Sequence, residues 1–129
     1  IQRLILAGKP YLVVLDRPSG TVKVPVGDYS QPSIRLEQGG TEAYYDADRW
    51  ANTQRFRVTA KSPAKLAIGG PLTNTVSVTR RGQDLYMDYR LVGVGGMTYQ
   101  AANQGANQAP EFAVFKADKK IASGKFEFG

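Results

Sequence analysis

The chain has no cysteine and no histidine. Without cysteine there are no disulfides, no thiolate zinc sites and no thiol nucleophile. Without histidine the commonest general base near neutral pH and the commonest metal ligand are both missing. Serine–histidine, cysteine–histidine and zinc–histidine chemistry are therefore excluded for this chain acting by itself. Long apolar runs are missing too: none approaches the ~20 residues that a helical membrane span needs, so no such span is expected. There is also no block of like charge. The 17 Lys and Arg stand against 11 Asp and Glu, a net charge of +6, but the densest groups are only Arg55/Arg57, Arg80/Arg81 and Lys116/Lys119/Lys120. A basic tail would concentrate its charge. The scattered excess reads as a solvated surface.

What the sequence does have is alternation. Residues 76–92 (VSVTRRGQDLYMDYRLV) show it most clearly. Val76 and Val78 alternate with Thr75, Ser77 and Thr79. Leu85, Met87, Tyr89 and Leu91 alternate with Asp84, Tyr86, Asp88 and Arg90. A period of two puts every second side chain on one face of a pleated strand. The stretch is expected to form two strands joined by a turn at residues 80–83, with Leu85, Met87, Tyr89 and Leu91 pointing inward.

The same signal recurs along the chain. Leu4 to Ala7 and Tyr11 to Leu15 are short apolar runs separated by Gly8-Lys9-Pro10. Val22, Val24 and Val26 alternate with polar residues, although Pro25 cannot donate to a ladder and sends that strand to an edge or out of the sheet. Ile34 with Leu36, Phe56 with Val58, and Leu66 with Ile68 mark further strands. Residues 97–100, 111–117 and 120–128 complete the set. Residues 41–53 (TEAYYDADRWANT) read as irregular chain, with Tyr44-Tyr45 open to a strand reading. Residues 101–110 (AANQGANQAP) have no charge until Glu111 and no large apolar side chain, which reads as a surface loop. Gly93-Val94-Gly95-Gly96 lacks the Lys-Ser/Thr continuation of a phosphate loop and reads as a turn. The sum is about nine to eleven short strands with turn signals roughly every 8–12 residues, the spacing of an all-β sandwich or barrel. A chain of 129 residues fits one domain. It begins in an apolar run and ends on a strand pattern, so it is expected to be a domain cut from a longer exported protein.

Residues 24–29, Val24-Pro25-Val26-Gly27-Asp28-Tyr29, resemble the V-P-x-G-x-Y turn of carboxypeptidase-regulatory-like and transthyretin-like domains. Those are immunoglobulin-like sandwiches found as accessory modules in exported bacterial proteins. The resemblance implies that the Pro-x-Gly corner joins two strands and that Tyr29 packs back on the sandwich. It implies no active site, because the family has none in this module. The small-residue strand that usually opens the family's pattern is not present in residues 1–16.

Two constellations carry functional readings. Tyr44, Tyr45, Asp46, Asp48 and Trp50, with Glu42 beside them, form the first. Aromatic rings stack on sugars while carboxylates bind hydroxyls, and a carboxylate pair can hydrolyse glycosides. Asp46 and Asp48 could share a calcium ion, but further oxygen ligands and a turn glycine are not evident. The alternative is an acidic, aromatic loop packed on the end of the sandwich and anchored by Trp50. The second constellation is Arg55, Arg57, Arg80, Arg81 and Arg90 with Tyr86, which on one sheet face would form a stacking platform for single-stranded nucleic acid. The alternative is a solvated outer face partly neutralised by Glu37, Asp84 and Asp88.

The expectation is an antiparallel immunoglobulin-like β-sandwich without catalytic residues, metal ligands or cofactor. It would act as a non-catalytic accessory or interaction module, outside the cytoplasm, with a protein or polysaccharide partner and with nucleic acid not favoured. A carbohydrate-binding module using loop 44–50 is the alternative.

Overall fold

The computed structural model of the protein describes residues 1–47, 55–102 and 109–127, with the backbone alone at Gln31 and Pro32. Ten strands follow in chain order: β1 (Arg3–Gly8), β2 (Leu12–Asp16), β3 (Gly27–Gln38), β4 (Thr41–Asp46), β5 (Arg55–Val58), β6 (Thr73–Arg81), β7 (Asp84–Val92), β8 (Thr98–Ala101), β9 (Glu111–Lys116) and β10 (Lys119–Lys125). Eight of them form one sheet in the order β2-β1-β3-β4-β8-β7-β6, with β5 also paired to β3. β9 and β10 form a separate two-stranded sheet. Each of these pairings is antiparallel. The fold is all-β and antiparallel in two sheets, as the alternation implies.

The register explains where the core lies. Leu4 stands opposite Ile34, Ile34 opposite Tyr45, and Leu36 opposite Ala43. Directly paired residues share a face, so these side chains, with Leu6 and Tyr99, make one continuous apolar layer. All are buried, and Ile34 is 0% exposed. Arg35, Glu37, Glu42 and Asp46 fall on the opposite face and are exposed. The β3–β4 hairpin that fixes this register turns at Gly39-Gly40, where φ is 59° and 80°. A two-residue turn of this hand needs positive φ at both positions, which two glycines adopt without a Cβ penalty.

Two expected strands do not form. Residues 22–26 and 66–68 are irregular chain. Neither segment pairs with a described strand, and β3 itself is taken on both sides, by β1 along one edge and by β4 and β5 along the other. The valine-rich segment crosses the apolar face instead of joining the ladder. It contributes Val24, and the segment before β6 contributes Leu66, Ile68 and Leu72, all packed on the core. The reverse correction applies to residues 41–46, read as irregular from the sequence: they are β4, with Ala43 and Tyr45 facing the core.

At the corner of residues 24–29 Tyr29 is buried, but residues 22–26 before it form no strand, so the corner does not join two strands as expected. The ring is 3% exposed, stacks on Phe56 with centroids 5.9 Å apart, and its hydroxyl donates to the Pro25 carbonyl at 2.9 Å. Tyr29→Phe keeps the ring and orphans that carbonyl. It is expected to lower unfolding free energy by about 0.5–1.5 kcal/mol, read from a denaturant midpoint at unchanged slope.

Residues 93–97 lock the far end of the covering segment. Val94–Gly96 is a 3-10 turn, not a ligand loop. The Val94 N–H donates to the Gly69 carbonyl at 2.9 Å. The Gly69 N–H in turn donates to the Tyr99 hydroxyl at 2.9 Å. Burial pushes the Tyr99 phenol pKa up, and the Gly69 bond partly offsets this.

Candidate functional site

The aromatic and acidic stretch divides across β4. Tyr45 is 4% exposed and meets Tyr99 edge-on at 6.4 Å. Burial raises its phenol pKa, with the Asp46 charge adding to the effect. Tyr44 is half-buried on the opposite face, and Asp46 is exposed beside it. Alternation within a strand is the cause: neighbours 44 and 45 must point to opposite sides. The two tyrosines therefore cannot form one stacking row, and Tyr45 serves the core. Asp48 and Trp50 lie outside the described residues.

The arginines do not form one platform. Arg80 pairs in register with Leu85, on the face that carries the core, whereas Arg81 pairs with Asp84 on the other face. The Arg81 guanidinium sits 5.2 Å from the centroid of Tyr86. Arg90 contacts Asp88 at 2.6 Å. Arg57 grips Asp28 with two bonds of 2.6 and 2.8 Å, at the far side of the sheet from β7. Two of the five arginines are thus neutralised within the chain.

The Arg57 fork holds the Asp28 carboxyl below its usual pKa, chiefly through the hydrogen bonds. A depressed folded-state pKa gives stability that is present above the unfolded value and lost as pH falls through the folded one. Both partners are exposed, so the effect on stability is small. A carboxyl-carbon NMR titration is expected to show Asp28 titrating below the usual range of an Asp side chain, and Arg57→Gln is expected to remove most of the shift.

The hairpin read from residues 76–92 carries the most unusual surface. Its register is the expected one, with Val76 opposite Tyr89 and Val78 opposite Met87. Met87, Tyr89 and Leu91 are half-buried, and Tyr89 touches Phe126 with centroids 5.3 Å apart. Beyond that contact the cover stops. Val76, Val78 and Leu85 are 45%, 58% and 49% exposed, which corrects the expectation of a buried Leu85. The face is apolar, as the alternation requires, and Phe126, next after β10, meets it at Tyr89. Phe115 and Ile121 of the β9–β10 sheet are also exposed.

β6 is also an edge. The hairpin closes at Arg81 opposite Asp84. In an antiparallel pair closed by two residues, hydrogen-bonded pairs fall on every second residue from the closing pair. Those are Arg81, Thr79, Ser77, Thr75 and Thr73. The backbone groups of Asn74, Val76, Val78 and Arg80 therefore point away from the sheet, along the side where the exposed valines sit.

A second feature lies between the covering segments and the part of the apolar face formed by β1, β2 and β5. It is a partly open cavity of about 930 Å³, lined by residues that include Leu4, Phe56, Val24 and Leu66, and by Lys23, Lys61 and Lys65. Sequence reading missed it, because residues 22–26 and 66–68 were assigned to strands rather than to a cover.

Among the described residues no group of three carboxylates could hold a metal ion, and no helix is long and apolar enough to cross a membrane. No protein-family model matches the chain, and neither the curated proteins nor the solved structures include a significant match to it.

Proposed function

We propose that this chain is a non-catalytic interaction module, an immunoglobulin-like sandwich that docks a polypeptide segment along β6. The observation that carries this reading is the coincidence of an unpaired strand edge with bare apolar side chains at Val76, Val78 and Leu85. An extended polypeptide satisfies both needs at once. Its backbone supplies donors and acceptors to the edge, and its alternate side chains cover the valines. Natural edges are usually blunted by inward charge, proline or a bulge; residues 74–79 have none of these, and the inward charge of β6, Arg80, stands at its end beside the turn. The burial of Tyr45 favours this module over a carbohydrate-binding one, because it removes a ring from the proposed sugar platform. The corner at residues 24–29 supports the immunoglobulin-like assignment through the buried Tyr29 alone, because residues 22–26 form no strand. Its resemblance to accessory modules supports a setting in an exported bacterial protein.

The test places a photo-crosslinking residue at Val78, with Glu37 on the polar face as control, in cells that naturally make the protein. A discrete adduct from position 78 and none from position 37 is the expected result. Equal crosslinking, or none at 78, contradicts the docking role. For the non-catalytic part, glycoside, ester and peptide substrates are expected to turn over at the buffer rate. Turnover that Asp46→Asn abolishes would overturn it.

A further inference from the structure

The geometry points to a second, separate site: the cavity under the covering segments takes a single-chain amphiphile with an anionic head, a long-chain fatty carboxylate. This inference stands on different residues from the β6 edge and does not depend on it. The floor of the cavity is the apolar sheet face itself, with Leu4, Leu6, Leu15, Phe56 and Val58. Its roof is irregular chain bearing Val22, Val24, Leu66 and Ile68. In a two-layer fold the side chains of a second strand layer would fill this space. Here the segments that could have formed that layer pair with nothing, and a cavity of about 930 Å³ remains. That volume lies within the range of about 300–1,000 Å³ typical of ligand sites lined by apolar groups with a few polar ones.

The polar groups identify the head. Three lysines, Lys23, Lys61 and Lys65, line the cavity and are exposed, and no Asp or Glu is among its lining residues. None of the three makes an ion pair with a described carboxylate. The lysines lie on both covering segments, Lys23 on the first and Lys61 and Lys65 on the second. An aliphatic tail along Leu6, Phe56 and Val58 would complete the core while a carboxylate at the opening meets the ammonium groups. A neutral or cationic amphiphile gains the tail contacts only. The attraction of exposed ammonium groups is screened over about 8 Å at physiological salt, so the preference for the anion weakens as salt rises.

Calorimetric titration with oleate below its micelle concentration is the test, with oleyl alcohol and acetate as comparisons. The expected result is one oleate per chain, at least tenfold tighter than the alcohol, and no binding of acetate. Joint replacement of Lys23, Lys61 and Lys65 by serine is expected to remove the tenfold preference without moving the melting temperature, because all three are exposed. Ala64→Trp, at an exposed lining position, is expected to lower the affinity for oleate and alcohol alike. Several oleates per chain, equal binding of oleate and alcohol, or unchanged oleate affinity in the lysine variant would each overturn the assignment.

Discussion

Ile34→Ala is expected to lower the free energy of unfolding by about 2–5 kcal/mol, and Leu85→Ala by no more than about 0.5 kcal/mol. Both residues are aliphatic, both lie in strands, and both face the same side of the same sheet. They differ in cover. Ile34 is 0% exposed and has Leu4 on one side and Tyr45 on the other. Removing its outer carbons leaves a cavity that a close-packed layer cannot fill. Leu85 is 49% exposed, so truncation removes little buried area. Urea unfolding of the two variants reads the difference directly. Equal losses would mean that the apolar face is covered along its whole length. The proposal for β6 would then lose its basis.

Gly93→Ala is expected to be destabilising, by about 1–3 kcal/mol, the usual cost of overpacking a filled site. A Cβ at this position would overlap the Gly69 carbonyl and the Tyr99 ring. The same carbonyl accepts from the Val94 N–H, and the same tyrosine accepts from the Gly69 N–H. One methyl group therefore pushes apart three linked elements: the turn after β7, the segment before β6 and the core end of β8. Gly27→Ala is the comparison, since its Cβ would make an ordinary 3.6 Å contact with the Tyr29 ring. The expected ranking is a clear loss at 93 and a change within about 0.5 kcal/mol at 27, measured by the same denaturant series. A near-neutral Gly93→Ala would show that the covering segment is not clamped there.

The strands were legible where alternation was unbroken. β6 and β7 could be read almost residue by residue, although the turn expected over residues 80–83 is only Gly82-Gln83, with Arg80 and Arg81 in the strand. What alternation cannot report is whether anything lies over the apolar face, because cover comes from chain far away in sequence. Leu85 was expected inside for that reason and stands half in solvent. The Tyr44-Tyr45 doublet hid the opposite case. Ala43 and Tyr45 alternate with Glu42, Tyr44 and Asp46 as a strand should, but two adjacent rings obscured the period. Residues 22–26 had a strand-like local pattern but pair with no described strand, which local pattern cannot report. The lysine-lined cavity was illegible for the same reason: it exists only because two segments with strand-like patterns remain unpaired. The arginines misled in another way. Their positions are right for strands, but Arg80 and Arg81 are neighbours and must face opposite sides, and Asp28 is brought to Arg57 by pairing across 29 residues.

The absence of cysteine from the chain gives the most direct test of the docking surface. A single cysteine placed at Val78 is the only thiol, so its labelling rate reports that position alone. In the isolated domain it is expected to react as fast as an unprotected thiol. In cells that naturally make the protein it is expected to be protected at least tenfold until a denaturant is added. A Val78 thiol that labels equally fast in both settings would contradict the assignment of β6 as a docked edge.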